Sequence, residues 1–264
     1  MECSIMIGSI LPSLSGCPIS KPVLINSLPK SGTHMLSNMI SAIPKCYIKK
    51  DVTNADKILD HHQRLTWIKG FKLELLNPGD IIVGHIPYSY EMEEYLNELN
   101  VYHLFIYRDP RDVLVSLYRY VQKAHEHVYR NILDGLSEEQ QYGILIEGFG
   151  EGKSGYVLNP NAIPALSFFC GAYQSWINSS AKVFRYEKFV LNGTRHESIA
   201  SLAKVLGVPK RLEGQMLKAL VSKSSSTFSR GIVGSWKEEV PPSLVGLLEL
   251  QLNILSADFF WNET

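Results

Sequence analysis

The first residues that could do chemistry form a short loop at residues 29–34. It lies between a run of apolar β-formers at residues 23–26 and a helical pattern that stops at Pro44. A strand–loop–helix unit points backbone N–H groups at the space before the helix, which makes an anion site without any side chain. The loop adds a cation and three donors: Lys30, Ser31, Thr33 and His34. The pattern predicts phosphate or sulfate binding; a surface loop with one lysine is the ordinary alternative.

A second set of anion-binding side chains follows the most apolar strand pattern, residues 101–107. Arg108 comes directly after that strand. Ser116 follows eight residues later, two turns into a helix with Asp109 as its N-cap and Pro110 as its first residue. Both side chains can therefore reach one anion. In isolation, a solvent-facing arginine beside a capped helix explains the same residues.

Strand and helix patterns alternate along the chain. Strands are predicted at residues 23–26, 81–83, 101–107 and 183–186. This alternation predicts an α/β fold, a single domain with a central parallel β-sheet flanked by helices, whose phosphate-binding strand–loop–helix is as in nucleotide kinases. Ligands of such sheets bind at the carboxyl ends of the strands. The residues of chemical interest fall there, each ending or following a strand: Lys30, His85, Arg108 and Tyr186.

The remaining stretches divide into helices, an arm and an insert. Helices are predicted at residues 55–66, 89–99, from 110 onward, and at 162–178, 196–206, 210–221 and 243–256. Residues 125–160 contain glycines at 148, 150, 152 and 155 and are interpreted as a mobile insert. Residues 1–20 are interpreted as a loose N-terminal arm, because Glu2 and Pro12 do not fit a signal peptide. The domain is predicted to cover residues 21–264.

Composition narrows the classes of partner. The 264 residues contain 26 Lys plus Arg and 26 Asp plus Glu, a formal net charge of zero. This balance argues against nucleic acid and, more weakly, against a polyanionic acceptor, so a local cluster must hold any anion. The four cysteines form no C-x-x-C or zinc pattern, which favours reduced thiols and a cytoplasmic location. No apolar run approaches about 18 residues, so no membrane-spanning helix is expected.

Residues 29–33 read Pro-Lys-Ser-Gly-Thr. This order differs from the nucleotide-triphosphatase loop, in which lysine follows the last glycine. It resembles the signature of the sulfotransferases, of the cytosolic small-molecule type, that use 3′-phosphoadenosine 5′-phosphosulfate (PAPS). Four further segments resemble that family in the same order: Gly-His-Ile-Pro at 84–87, Arg-Asp-Pro-Arg-Asp-Val-Leu-Val-Ser at 108–116, Phe-Arg-Tyr-Glu at 184–187 and Arg-Gly-Ile-Val-Gly-Ser-Trp-Lys at 230–237.

The resemblance implies transfer of a sulfuryl group from PAPS to a hydroxyl of a small-molecule acceptor, without a metal ion. His85 is assigned as general base, since an imidazole with a pKa near 6.5 suits that task, and Lys30 as the group that stabilises the leaving oxygen. The implied catalytic residues are His85, Lys30 and Ser116. The implied cosubstrate-binding residues are Lys30, Ser31, Gly32, Thr33, His34, Met35, Arg108, Ser116, Tyr186, Arg230 and Gly231.

Four departures from the family pattern stand out. Met35 occupies the position where tryptophan commonly stacks on adenine, and a thioether could pack there instead. Val83 replaces a lysine that often precedes the catalytic histidine. Ser229 replaces the first residue of the usual Arg-Lys-Gly, so one cationic contact is missing. The family's dimerisation motif should follow Trp236, but no such motif is found there, and a homodimer stays open.

The acceptor is the least determined part. Aromatic and histidine side chains near the insert fit an alcohol or phenol, such as a secondary metabolite, and fit ordinary packing as well: Tyr88, Tyr90, His125, His127, Tyr129 and Phe149. Two other functions stay open. A nucleotide-dependent phosphotransferase of kinase type would use Asp109 to bind magnesium, and a non-enzymatic nucleotide-binding relative would have lost His85 or Lys30, which are both present.

Overall fold

The protein is described here by a computed structural model covering residues 16–54, 61–124, 126–156, 161–221 and 232–260. Its centre is a five-stranded sheet in the order β2-β3-β1-β4-β5, with all pairs parallel. The strands are β1 (Val23–Ser27), β2 (Tyr47–Val52), β3 (Asp80–Gly84), β4 (Tyr102–Tyr107) and β5 (Lys182–Arg185). The predicted single α/β domain with a parallel sheet is confirmed.

Helices cover both faces of the sheet. Leu24 of β1 belongs to one buried apolar cluster, whereas Val23 and Ile25 belong to the other, as the alternation of side chains along a strand requires. The helices are α1 (Thr33–Ser41), α2 (His61–Gly70), α3 (Tyr90–Glu98), α4 (Pro110–Lys123), α5 (Arg130–Leu133), α6 (Glu138–Glu147), α7 (Leu166–Gln174), α8 (Tyr186–Val190), α9 (Asn192–Leu206), α10 (Glu213–Val221), α11 (Trp236–Glu239) and α12 (Val245–Leu252).

The two faces carry different helices. Buried residues of α1, α9 and α10 fill one cluster, and those of α3, α4, α6, α7 and α12 fill the other. Because β1 and β4 are buried on both faces, their sequences are nearly continuous apolar runs, which is why the sequence pattern located them. In the described part of the chain, no helix combines the length and apolar character needed to cross a membrane.

Strand β2 was not predicted. It is an edge strand that pairs only with β3, and most of its residues are exposed. Its sequence, Tyr-Ile-Lys-Lys-Asp-Val, carries charges that suit an edge facing water. A strand of this kind has neither the apolar run of a central strand nor a clean alternation, so its pattern was missed.

The prediction of a mobile insert is wrong for the described part of residues 125–160. Helix α6 starts with a capping box at Ser137, and Tyr142 is fully buried. The glycines there serve close packing. A Cβ on Gly152 would lie 1.9 Å from the carbonyl oxygen of Ile163, so no side chain fits. Composition alone could not separate a glycine needed for close approach from one in a loose loop.

Smaller differences concern element ends. The helix predicted at 162–178 starts later, at Leu166, because residues 149 and 163 pair as an isolated β-bridge. Tyr186 begins α8 rather than ending β5. Helix α2 extends further than the predicted 55–66, of which residues 55–60 lie outside the described residues. Residues 1–15 of the predicted arm also lie outside, whereas Ile19 is fully buried.

Candidate active site

Strand register gathers the residues of interest at one edge of the sheet. Asn26 pairs with Gly84, Ser27 pairs with Ile106, and Tyr107 pairs with Arg185. The residues that follow these pairs are therefore neighbours across four strands. They include Lys30 after β1, His85 after β3, Arg108 after β4 and Tyr186 after β5.

The loop after β1 is tightly bent. Lys30 has a φ of 69° and Gly32 a φ of 102°. A left-handed lysine is uncommon and costs conformational energy, so the surrounding structure must impose it. A Cβ on Gly32 would lie 2.7 Å from Cδ2 of Tyr186, so glycine is needed for space as well as for its φ. Helix α1 begins next with no side-chain cap and no acidic residue in its first turn, which favours an anion there.

His85 is held by the end of β1. Its Nδ1 lies 3.1 Å from the carbonyl oxygen of Ser27 and 2.9 Å from the Ser27 hydroxyl. Because a carbonyl only accepts, Nδ1 carries the proton and Nε2 has a free lone pair. Burial lowers the pKa of His85 to about 4, opposed by the bond to Ser27 and aided by the nearby charge of Lys30. The ring is therefore neutral at pH 7 and able to accept a proton at Nε2.

Two polar residues inside β1 position this histidine, and neither was predicted from the sequence to belong to the site. The fully buried amide of Asn26 accepts from the backbone N–H of Ile86 at 2.8 Å and donates to its carbonyl at 3.2 Å. The hydroxyl of Ser27 also lies 2.6 Å from that of Thr33, which links His85 to the anion loop. Polar residues in an otherwise apolar strand were the available signal, since buried polar groups require partners.

Lys30 points towards α4. Its ammonium lies 3.6 Å from the ring centroid of Tyr120, a cation–π contact, and His127 packs edge-on against the same ring. Burial, together with the neighbouring charge of Arg108, lowers the pKa of Lys30 to about 8. Although Arg108 also lies 3.6 Å from the carboxylate of Asp112, its charge still disfavours the charged form of Lys30, and an anionic ligand near both cations would relieve this repulsion.

Arg108 forms the other half of the anion site. Its side chain is buried, its guanidinium lies 4.5 Å from the ring centroid of Tyr186, and its Nη2 donates to the carbonyl of Ile232 at 3.0 Å. Within the described ranges, four buried side-chain atoms have no hydrogen-bond partner. Two of them, Nε of Arg108 and Oγ of Ser31, belong to residues that follow the neighbouring strands β4 and β1. Buried polar groups seldom remain without a hydrogen-bond partner. Two such donors at the carboxyl ends of neighbouring strands therefore indicate that a ligand binds there.

A comparison with known protein families shows to which family the chain belongs. The sulfotransferase domain family matches residues 20–249. The chain belongs to the sulfotransferase family. Mouse sulfotransferase SULT7A1, complexed with PAP, is similar in structure, with 17% identity over 91% of this chain and 87% of that one and a TM-score of 0.56. Retinol dehydratase in complex with androsterone and inactive cofactor PAP has 16% identity over 88% and 79% of the two chains, and a TM-score of 0.54. No curated protein sequence matches this chain.

Three predicted binding residues of this sulfotransferase form no side-chain hydrogen bond with Lys30, His85 or Arg108. His34 is exposed at the start of α1, and Met35 is 7% exposed within the core cluster that also contains Tyr186. Ser116 is half-buried on α4, and its hydroxyl makes no hydrogen bond to any described residue. Arg230 and Gly231 lie outside the described residues. The roles predicted for these five residues stay predictions.

The side chains suggested for the acceptor are dispersed. Tyr88 lines a cavity of about 420 Å³ together with Pro87, Arg64 and α7. Tyr129 is buried in the core, whereas Tyr90 and Phe149 are exposed, and His125 lies outside the described residues. His127 packs between Tyr120 and Tyr129. In the described residues, no group of three or more His, Cys, Asp or Glu side chains could hold a metal ion.

Proposed function

We propose that this sulfotransferase transfers the sulfuryl group of PAPS to a hydroxyl of a small-molecule acceptor. The observation that carries the proposal is the pair of buried donors without partners, Ser31 Oγ after β1 and Arg108 Nε after β4. They come from neighbouring strands and lie beside Lys30, whose pKa reflects the charge of Arg108. Two separate donor sets suit a ligand with anions at two positions, as PAPS has at its 5′ and 3′ positions.

The two donor sets divide the ligand between them. The N–H groups at the start of α1, with the hydroxyls of Ser31 and Thr33, would hold the 5′-phosphosulfate. Arg108 and Ser116, joined by Arg230, would hold the 3′-phosphate. Tyr186 lies between the two sets, because its ring contacts Gly32 on one side and the Arg108 guanidinium on the other. We expect this ring to set the distance between the two anions.

The proposed chemistry is an in-line displacement at sulfur, in which charge spreads over peripheral oxygens. Nε2 of His85 accepts the proton of the acceptor hydroxyl while its Nδ1–H stays bonded to Ser27. The ammonium of Lys30 stabilises the oxygen that carries the leaving charge as the S–O bond breaks. The protein contributes position and fixed charge to this step, and Ser27 ties the base to the anion loop through Thr33.

The kinase-type alternative requires Asp109 to bind magnesium. The carboxylate of Asp109 is 2% exposed; it accepts from the Arg111 backbone N–H at 2.9 Å and from the Arg111 guanidinium at 2.6 Å. A carboxylate used as an N-cap and as a partner of arginine is poorly placed to ligate a metal ion. This contact, with lysine before Ser-Gly-Thr in the loop, favours sulfuryl transfer over phosphoryl transfer.

We expect calorimetric titration of PAP, the desulfated product, to show binding that needs no Mg²⁺ and exceeds that of AMP by at least about 100-fold, since a buried arginine gives charge-assisted hydrogen bonds to the 3′-phosphate. ADP is titrated in parallel, with and without Mg²⁺. A preference for ADP with Mg²⁺, or no binding of PAP, would overturn the proposal. Binding of PAP would justify a screen of alcohols and phenols with labelled PAPS.

PAP binding should also take up a proton at mildly alkaline pH. In the free protein the pKa of Lys30 is lowered to about 8, so the amine is mostly neutral at pH 8.5. A bound anion favours the charged amine and raises that pKa towards its ordinary value, so roughly 0.5–0.8 of a proton should enter per PAP at pH 8.5 and almost none through Lys30 at pH 7. Calorimetry in buffers of different ionisation enthalpy measures the uptake. Lys30→Met should abolish it, and an unchanged uptake in that variant would assign the proton to another group.

A further inference from the structure

Asp112 is a buried carboxylate in the first turn of α4, only 1% exposed. The sequence explains it as a negative charge near a helix N-terminus, but that role needs no burial. We propose that Asp112 is a positioning residue, which holds residues 232–236 and Arg108 in the arrangement that binds the 3′-phosphate of the nucleotide. This inference rests on the proposed use of PAPS and names a residue that the family resemblance did not assign.

The carboxylate of Asp112 collects three donors from the segment at residues 232–236. Its Oδ2 accepts from the backbone N–H of Gly234 at 2.8 Å. Its Oδ1 accepts from the Ser235 hydroxyl at 3.1 Å and from the backbone N–H of Trp236 at 3.2 Å. Gly234 has a φ of 77°, a turn that glycine adopts without strain. One carboxylate thus satisfies both sides of this turn.

The same carboxylate also orients Arg108. Nη2 of Arg108 lies 3.6 Å from Oδ2 of Asp112, and it donates to the carbonyl of Ile232. Arg108 is therefore held by Asp112 and Ile232 at Nη2 and by the Tyr186 ring across its plane. Its Nε is buried without a partner among the described residues and is a donor left for a ligand. Asp112 couples the arginine after β4 to a segment that lies more than a hundred residues later.

The charge of Asp112 and its positioning role predict opposite effects of Asp112→Asn on nucleotide binding. A negative charge beside an anion site repels the anion, so removing the charge alone would tighten binding. An asparagine at this position keeps one acceptor oxygen, but its amide nitrogen would face a backbone N–H donor. If Asp112 acts by position, losing these contacts should loosen the segment and weaken binding. The sign of the change therefore separates the two roles.

The experiment is a titration of Asp112→Asn with PAP and with AMP, which lacks only the 3′-phosphate. We expect the Kd for PAP to rise roughly 10–100-fold, because several hydrogen bonds to a charged acceptor are lost, and the Kd for AMP to change less than about threefold. Asp80→Asn is the matched control. Asp80 is another buried aspartate whose carboxylate accepts a hydrogen bond from a backbone N–H, that of Asn77 at 2.9 Å. It lies at the amino end of β3, away from the carboxyl ends of the strands.

Tighter PAP binding, an unchanged Kd, or an equal loss for PAP and AMP would each overturn the inference. Should Asp112→Asn fail to fold, Ser235→Ala removes one donor and keeps the carboxylate and both backbone contacts. That variant should weaken PAP binding about two- to fivefold and leave AMP unaffected, and equal affinities for PAP in variant and wild type would count against the role. If the wild-type protein itself does not prefer PAP to AMP, the proposed function fails and the inference fails with it.

Discussion

Replacing His85 by alanine is expected to lower turnover with PAPS and a hydroxyl acceptor roughly 10²–10⁴-fold, because the variant loses the imidazole that is hydrogen-bonded to Ser27 and thus the general base. The neutral ring donates at Nδ1 to the backbone and leaves Nε2 for the acceptor, so the loss should fall on kcat. PAP affinity should stay within about threefold, since Nε2 does not face the nucleotide in the proposed arrangement. Steady-state kinetics and calorimetry on the same preparations measure both quantities.

The matched control for His85 is His196→Ala, which removes an exposed imidazole from α9 and should leave turnover unchanged. A second readout is the charge of His85. Since burial holds its pKa near 4, the ring in the free protein should remain neutral when the pH is lowered from 7 to 5. Histidine ring signals in NMR, assigned by their loss in His85→Ala, report this directly. Wild-type turnover in His85→Ala, or protonation of its ring near pH 6.5, would contradict the assignment.

The part of the site that could be predicted consists of residues next to strand ends. Lys30, His85 and Arg108 each follow a strand that is buried or nearly so, and such strands have recognisable apolar sequences. Tyr186 follows the shorter strand β5, in which only Phe184 is buried. The topology of a parallel sheet then brings their carboxyl ends to one edge. Short-range sequence patterns were sufficient here, because strand, loop and helix are consecutive in each unit.

The residues that support the site could not be predicted in the same way. Asp112 and Gly234 are 122 positions apart, and nothing in the local sequence of either indicates the other. Asn26 and Ser27 sit in an apolar strand, where their partners Ile86 and His85 belong to the neighbouring strand's loop. Pairings of this kind depend on strand register, which is known only after the sheet is assembled.

Burial was the other quantity that residue types did not reveal. Tyr129 and Tyr120 are close in sequence and both aromatic, yet Tyr129 is buried in the core and Tyr120 is 39% exposed beneath the Lys30 ammonium. An aromatic side chain supplies apolar area to a core and a polarisable face to a cation with equal ease. Which of the two it does depends on tertiary packing.

Replacing Lys30 by methionine is expected to lower turnover roughly 10²–10⁴-fold, because a fixed charge at the leaving oxygen acts mainly in the transition state. Methionine keeps an unbranched apolar stem against Tyr120 and removes the ammonium. The fold should tolerate the change, since burial and Arg108 disfavour the charged form of Lys30, as its lowered pKa of about 8 shows. Thermal unfolding at pH 7 should therefore give a Tm no lower than that of the wild type.

The control for Lys30 is Lys45→Met. Lys45 also has a left-handed backbone, with a φ of 64°, but it precedes β2 and so lies near the amino ends of the strands. Its turnover should equal that of the wild type. Comparing kcat with PAP affinity separates the two roles open to Lys30. If Lys30 stabilises the leaving oxygen, its replacement must lower kcat far more than the affinity for PAP, which has no sulfuryl group. A loss confined to PAP affinity would show that Lys30 only binds the nucleotide.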